Sequence, residues 1–290
     1  MIEKMVVASE IMPNADEMFR YLGGLQKLGA KKCILVQCIN PKETTQEVSV
    51  FLNTIMEENL QSQKNILEEQ GYQVETRIKN GFIKQEINKI AMEESCDVIV
   101  VAARKEDRIT GYPFADAAYE VIEHAEKPVL LIRESAEETQ ELELTDHILF
   151  ATDFSDNAGV AFHAVEQMVE KGLKKVSIIH VQEKTRIEPH LVDQLDKFNK
   201  IDKQRLLQLK EALIKRGCDE VDTVLTYGSP KYELNKFIRE NGVTLTVMGS
   251  QGRGFVDELF VGGVSQNIAR DSISSVLLIP TAYKWEAQAK

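Results

Sequence analysis

Short runs of uniformly apolar residues alternate along this chain with longer stretches in which apolar residues recur every three or four positions. The first pattern marks a strand buried on both faces; the second marks an amphipathic helix. In the second half the apolar runs predict strands over Ile148 to Thr152, Lys175 to Val181, Glu220 to Thr226, Leu245 to Gly249 and Val276 to Ile279. The amphipathic stretches predict helices near Ala158 to Lys171, Val192 to Lys215, Lys231 to Asn241 and Val264 to Asp271. Asp153, Ser155 and Asp156 are helix-capping types ahead of Ala158, and Gly172 and Gly217 stand where a helix hands over to a following segment. Strands and helices in alternation imply a parallel sheet with helices on both faces and right-handed crossovers. The expected form in each half is an α/β, doubly wound, five-stranded parallel sheet of order 3-2-1-4-5.

The halves are copies. Met5-Val6-Val7-Ala8-Ser9-Glu10 matches Ile148-Leu149-Phe150-Ala151-Thr152-Asp153. Lys31-Lys32-Cys33-Ile34-Leu35-Val36 matches Lys174-Lys175-Val176-Ser177-Ile178-Ile179. Pro128-Val129-Leu130-Leu131-Ile132-Arg133 matches Ser275-Val276-Leu277-Leu278-Ile279-Pro280, and a strand precedes each, Asp97 to Ala103 and Thr244 to Gly249. A repeat of this length sets the architecture before any other feature. It predicts domains over 1–135 and 146–281, an acidic linker over 136–145 within a run beginning at Glu134, and a tail over 282–290.

Composition narrows the function classes. The chain has 290 residues, enough for two ordinary domains. Its net charge of −11 argues against nucleic acid as a partner, which calls for a basic face. No apolar run approaches the roughly 20 residues of a membrane span, so no membrane is expected as a partner. Met1 to Lys4 lead straight into the first strand, so no signal peptide is expected, and the expected location is the cytoplasm. Cys33, Cys38, Cys96 and Cys218 form no CxxC pair, and His147, His163, His180 and His190 form no metal or triad spacing. The cysteines read as small buried thiols, the histidines as structural or surface residues, and no metal site is expected.

One segment carries chemistry. Gly249, Gly252, Gly254, Gly262 and Gly263 fall within fifteen residues, directly after a predicted strand and ahead of a predicted helix. Glycine lets a ligand approach the main chain, and amides at a helix start point at anions. The segment lacks GxxxxGK[ST] and is not a GxGxxG after a first strand. It follows strand 4 of its half, while Asp153 follows strand 1, Val181 ends strand 2 and Gly228 follows strand 3. In a doubly wound sheet those four places open on one edge, where ligands bind.

The spacing Gly249-x2-Gly252-x9-Gly262-Gly263, the Ala151-Thr152-Asp153-Phe154-Ser155 run and the turn Gly228-Ser229-Pro230 together resemble the universal stress protein family in its tandem two-domain form. The resemblance covers nearly the whole chain. It implies an ATP or AMP site in the second half and a role in stress-response regulation. Asp153 and backbone near Val181 would meet the adenine; Met248 and Gly249 would line the ribose. Gly252, Arg253, Gly262, Gly263, Val264 and Ser265 would hold the phosphates, with Mg²⁺ accompanying ATP. Asp153 alternatively caps a helix, and Arg253 is alternatively a solvated loop cation. The family pattern has Ser or Thr where this chain has Gly263. That removes one hydroxyl donor, about 1.5–3 kcal/mol if the bond is to a charged group, and leaves the choice among ATP, ADP and AMP open.

The first half lacks the motif. Ala102 stands opposite Gly249, Lys105 opposite Gly252, Ala115 opposite Gly262, Asp116 opposite Gly263 and Ala118 opposite Ser265, while Glu10 replaces Asp153. No nucleotide is expected there. The apolar last strands, Val129 to Ile132 and Val276 to Ile279, are expected to pair the halves antiparallel, so that one chain mimics a family dimer; a further homodimer stays open, and any protein partner is unnamed. Two other functions remain: a slow Mg²⁺-dependent ATPase at the same site, and a ligand-free scaffold. Asp153 and Asp257 lack an acidic partner in a recognisable spacing, so no catalytic residue is assigned and hydrolysis is expected to be weak at most.

Overall fold

The apolar runs form strands, and the inner strands of each unit are buried. The computed structural model describes residues 2–9, 18–19, 21–39, 46–102, 114–133, 143–183, 195–251, 262–281 and 283–284, with backbone alone at 46–50, 114–117 and 119. The chain divides into two compact units, 1–137 and 138–290.

The first unit contains β1 (Lys4–Ala8), α1 (Gly23–Lys27), β2 (Lys32–Ile39), α2 (Gln46–Glu69), β3 (Gln73–Asn80), α3 (Ile83–Glu93), β4 (Val98–Ala102), α4 (Phe114–Glu123) and β5 (Val129–Ile132). The second contains β6 (Ile148–Ala151), α5 (Asp156–Glu170), β7 (Lys175–Gln182), α6 (Leu195–Lys215), β8 (Glu220–Tyr227), α7 (Pro230–Asn241), β9 (Leu245–Gly249), α8 (Gly263–Asp271) and β10 (Ser275–Ile279). Within the first unit the strands run β3-β2-β1-β4-β5, all parallel. Within the second they run β8-β7-β6-β9-β10, again all parallel. The first two residues of the expected helix from Val192 lie outside the described residues, as does residue 194.

The repeat is exact at the level of backbone pairing. Ala102 lies opposite Ile132 in the first unit, as Gly249 lies opposite Ile279 in the second. The Ser9 amide donates to the Val36 carbonyl, as the Thr152 amide donates to that of Ile179, at 2.9 and 3.0 Å. Every residue of β6, β9 and β10 is buried. Each fully buried large aliphatic side chain in these strands contributes about 1.5–3 kcal/mol. The outermost strand, β8, is mostly half-buried or exposed and correspondingly mixed in sequence. Helix ends follow local chemistry. The Ser155 hydroxyl accepts from the Ala158 amide at 3.2 Å and caps α5. Beyond the helices, Gly172 and Gly217 take φ of 106° and 97°, and the residues after them, Leu173 and Cys218, bond back to Met168 and Leu213.

All four cysteines are free. Burial pushes the Cys33 and Cys218 thiols up, the Cys96 thiol to about 11 and that of the half-buried Cys38 to about 12, which keeps them protonated and unreactive. His147, just ahead of β6, is buried; its Nδ1 donates to the Asn241 carbonyl at 3.0 Å, and Nε2 accepts from the Ser177 hydroxyl at 2.9 Å.

Gly249 is a point of close approach. A Cβ there would lie 3.2 Å from the carbonyl oxygens of both Asn157 and Gln251, and both are backbone. Gly263, by contrast, has nothing within 4 Å of such an atom.

Two predictions follow from these contacts. Gly249→Ala lowers stability by about 1–3 kcal/mol through overpacking, whereas Gly263→Ala is neutral or stabilising by up to about 1 kcal/mol through helix propensity; urea denaturation midpoints check this, and equal effects would contradict it. Burial lowers the His147 pKa below its usual 6.5, so the folded state favours the neutral ring. That contribution is complete above about pH 6.5 and is lost as pH falls through the lowered value. Thermal midpoints should therefore fall with pH in the wild type below that point, and fall less steeply in His147→Asn.

Candidate functional site

Because the sheet of the second unit is parallel, β6, β7, β8 and β9 all end on one edge. A cavity of about 900 Å³ opens there. It is lined by residues after β6 (Thr152, Asp153), at the end of β7 (His180 to Glu183), after β8 (Ser229, Pro230, Lys231), at the end of β9 (Met248, Gly249, Gln251) and at the start of α8 (Gly262 to Ser265, Asn267). α6 supplies a further wall through Phe198, Ile201, Asp202 and Arg205. These four sit at i, i+3, i+4 and i+7, the spacing that puts side chains on one helix face.

The turn after β6 is tightly specified. The Thr152 hydroxyl accepts from the Phe154 amide at 3.0 Å, and Asp153 Oδ1 accepts from the Ser155 amide at 3.0 Å. Phe154 is held at a φ of 58°, an uncommon left-handed conformation for a non-glycine residue. Its ring packs on that of His180, with centroids 4.5 Å apart, and the Arg205 guanidinium lies 5.3 Å from the Phe154 ring centroid.

His180 is buried, with Nδ1 2.7 Å from the Thr152 carbonyl oxygen. A carbonyl only accepts, so Nδ1 carries the proton and donates. Nε2 then faces Asp202 Oδ2 at 3.6 Å. The same oxygen accepts from Gln182 Nε2 at 2.7 Å, and Arg205 Nη1 lies 3.7 Å from Asp202 Oδ1.

Another side of the cavity is the start of a helix whose N-cap is a glycine. Gly262 is the N-cap of α8, and among the described residues no side-chain cap bond is made there. The Gly262 carbonyl accepts the first helical bond, from Gln266 at 2.9 Å. The amides of Gly263, Val264 and Ser265 belong to the first turn, whose donors have no partner within the helix. The positive end of the helix dipole adds to them and favours an anion. Lys231 Nζ, also on the cavity, pairs with Asp271 at 2.6 Å and donates to Asn267 Oδ1 at 3.2 Å.

Asp153, Val181, Met248, Gly249, Gly262, Gly263, Val264 and Ser265 thus line one cavity. Gly252 and Arg253 lie outside the described residues. Asp153 is not the helix cap, since Ser155 fills that place. The Ser265 hydroxyl, offered to phosphate by the sequence reading, donates instead to the Gly249 carbonyl at 2.8 Å. Ser265 lies on the buried side of α8, so its amide is the group left for a ligand. The sequence reading treated His180 as structural and passed over Asp202, Arg205 and Gln182. The helical spacing of Phe198, Ile201, Asp202 and Arg205, and the place of His180 beside Val181 at a strand end, were the available signals. Among the described residues, no group of three or more His, Cys, Asp or Glu is gathered for a metal ion.

The same edge of the first unit has different chemistry. Gln37 holds the strand position that His180 holds in β7. Its Nε2 donates to Ser9 Oγ at 2.9 Å and to Asn59 Oδ1 at 2.6 Å; Ser9 donates to Gln63 Oε1, and Gln63 Nε2 donates to Asn59 at 2.9 Å. Neutral amides and a hydroxyl bonded to one another occupy the volume. Ala118, the counterpart of Ser265, is buried and has no hydroxyl to give the Ala102 carbonyl.

The model of the universal stress protein family matches residues 1–133 and 145–280. The chain is 26% identical over 144 residues to the universal stress protein YxiE of Bacillus subtilis, covering 46% of this chain and 97% of that one. It is 24% identical over 151 residues to the universal stress protein MJ0577 of Methanocaldococcus jannaschii, covering 46% and 93%. Over its full length it shares a fold with a universal stress protein from Archaeoglobus fulgidus, at a TM-score of 0.73 and 21% identity, covering 95% of each chain. With both of its halves matched separately, the chain belongs to the universal stress protein family and carries that family's domain twice in tandem.

Proposed function

We propose that the second unit binds an adenine nucleotide, ATP or AMP, and that occupancy sets the conformation of the loops after β6 and β9, through which a stress-response partner is regulated. The observation that carries this reading is the start of α8, which has a glycine N-cap and opens on the same cavity as Asp153 and Val181. The adenine lies against Asp153 and the backbone near Val181, the ribose over Met248 and Gly249, and the phosphates at the amides of Gly263, Val264 and Ser265. Gly252 and Arg253 complete the phosphate side.

Magnitudes favour several contacts acting together. A helix dipole alone contributes about 0.3–2 kcal/mol, too little for useful affinity. Each hydrogen bond to a charged group adds about 1.5–3 kcal/mol, so three amides bring the total into the micromolar range of binding energies, about 8 kcal/mol. Any Mg²⁺ that accompanies ATP is held mainly by the phosphate oxygens, as that ion usually is. The first unit offers neither the serine tie to its fourth strand nor the glycines, and is read as a degenerate copy without nucleotide.

The test is chemical. Protein purified under native conditions is denatured, and the released small molecules are identified by mass spectrometry; an adenine nucleotide is expected. Gly262→Asp puts a carboxylate at the phosphate position. Its φ of −62° and ψ of 146° suit any residue and aspartate is a favoured N-cap; native folding of the variant is checked by its thermal midpoint. A like-charge contact near 4 Å costs on the order of 4 kcal/mol at an effective dielectric near 20, so ATP affinity should drop by at least tenfold. A folded Gly262→Asp protein that binds ATP as the wild type does, or a wild type that takes up no adenine nucleotide at millimolar concentration, would refute the proposal.

A further inference from the structure

We infer that α6 acts as a latch on the turn that carries Asp153, with Asp202 and His180 as positioning residues. The inference deepens the nucleotide reading and rests on it for its effect on binding. Two routes join the helix to the turn, one relayed through His180 of β7 and one direct from Arg205 to Phe154. His180 donates Nδ1–H to the Thr152 carbonyl at 2.7 Å, immediately ahead of Asp153. Its other nitrogen faces Asp202 of α6 at 3.6 Å. Phe154, immediately after Asp153, packs on the His180 ring and carries the Arg205 guanidinium of α6 over its own ring.

The turn needs such a hold. Phe154 has a φ of 58°, a conformation that a bulky side chain keeps only where its surroundings impose it. Its own bonds include two side-chain acceptors, Thr152 Oγ1 and Asp153 Oδ1, on the amides of Phe154 and Ser155. Asp202 in turn is fixed by Gln182 Nε2 at 2.7 Å, a residue of β7 that is 4% exposed. The strand end and the helix therefore share one carboxylate, and the turn is tied to it through His180 and Arg205. Asp153 stays aimed at the cavity only while α6 stays docked. Displacing α6, by a partner or by loss of this carboxylate, releases the base-recognition end of the site and leaves the amides of α8 in place.

Asp202→Asn tests the latch directly, with Arg205→Met as a second variant on the half-exposed end of the same contact. Native folding of each is checked by thermal midpoint. Without nucleotide, hydrogen exchange at the amides of Phe154 and Ser155 should speed up by about tenfold or more in Asp202→Asn. Unchanged exchange there overturns the latch. With nucleotide, ATP affinity should weaken by about five- to tenfold, while inorganic tripolyphosphate, which has no base, binds as to the wild type. Combined with Asp153→Ala, Asp202→Asn should add no further loss, because both act on one contact. Equal losses for ATP and tripolyphosphate, or independent losses in the double variant, also overturn it. If the wild type binds no ATP, the nucleotide reading fails by itself, and the exchange measurement still decides the latch.

Discussion

The close approach at Gly249 is the constraint on which the site depends. With no side chain at that position, the carbonyls of Asn157 and Gln251 come within 3.2 Å of where a Cβ would stand. The Ser265 hydroxyl then reaches the Gly249 carbonyl at 2.8 Å and fixes the start of α8 against the end of β9. The Ser250 amide bonds to the Ile279 carbonyl at 2.8 Å, and the Gly262 amide returns to the Ser250 carbonyl at 2.7 Å. The strand, the returning chain and the helix start are thereby held as one piece. A side chain at 249 would push them apart and move the first-turn amides away from the cavity.

Around that fixed point, the parallel sheet gathers the remaining parts. Five strands running in one direction place the ends of β6, β7, β8 and β9 on a common edge, so groups far apart in sequence face a single volume. The first unit has the same pairing, down to Ala102 opposite Ile132, and yet different chemistry. Where β7 presents His180 toward the carboxyl group of Asp202, β2 presents Gln37 to a set of neutral side chains. Where α8 has a serine to tie back to its strand, α4 has Ala118. The scaffold repeats and the site does not, which separates what folding requires from what binding requires.

The sequence carried most of this fold because its inner strands are apolar on both faces; β6, β9 and β10 are buried throughout, and periodicity alone marks them. The glycines and Asp153 were legible as chemistry because few other residues serve where a backbone is approached closely or a turn is tight. Two things were hidden. The wall of the cavity comes from α6, and only the three-dimensional path of the chain shows that its Phe198-to-Arg205 face covers the end of β7. The Ser265 hydroxyl points inward to a carbonyl, and the direction of a side chain around a helix start depends on the exact docking of that helix. His180 was visible as a residue but not as a partner of Asp202, since a contact across 22 positions has no local signature.

The central claim is that one of two homologous units keeps a nucleotide site. Isothermal titration of the full chain with ATP, at protein concentrations above Kd, tests it most directly, because stoichiometry separates the alternatives. The account predicts one ATP per chain. Two per chain would contradict the loss of the site in the first unit, and none would contradict its retention in the second.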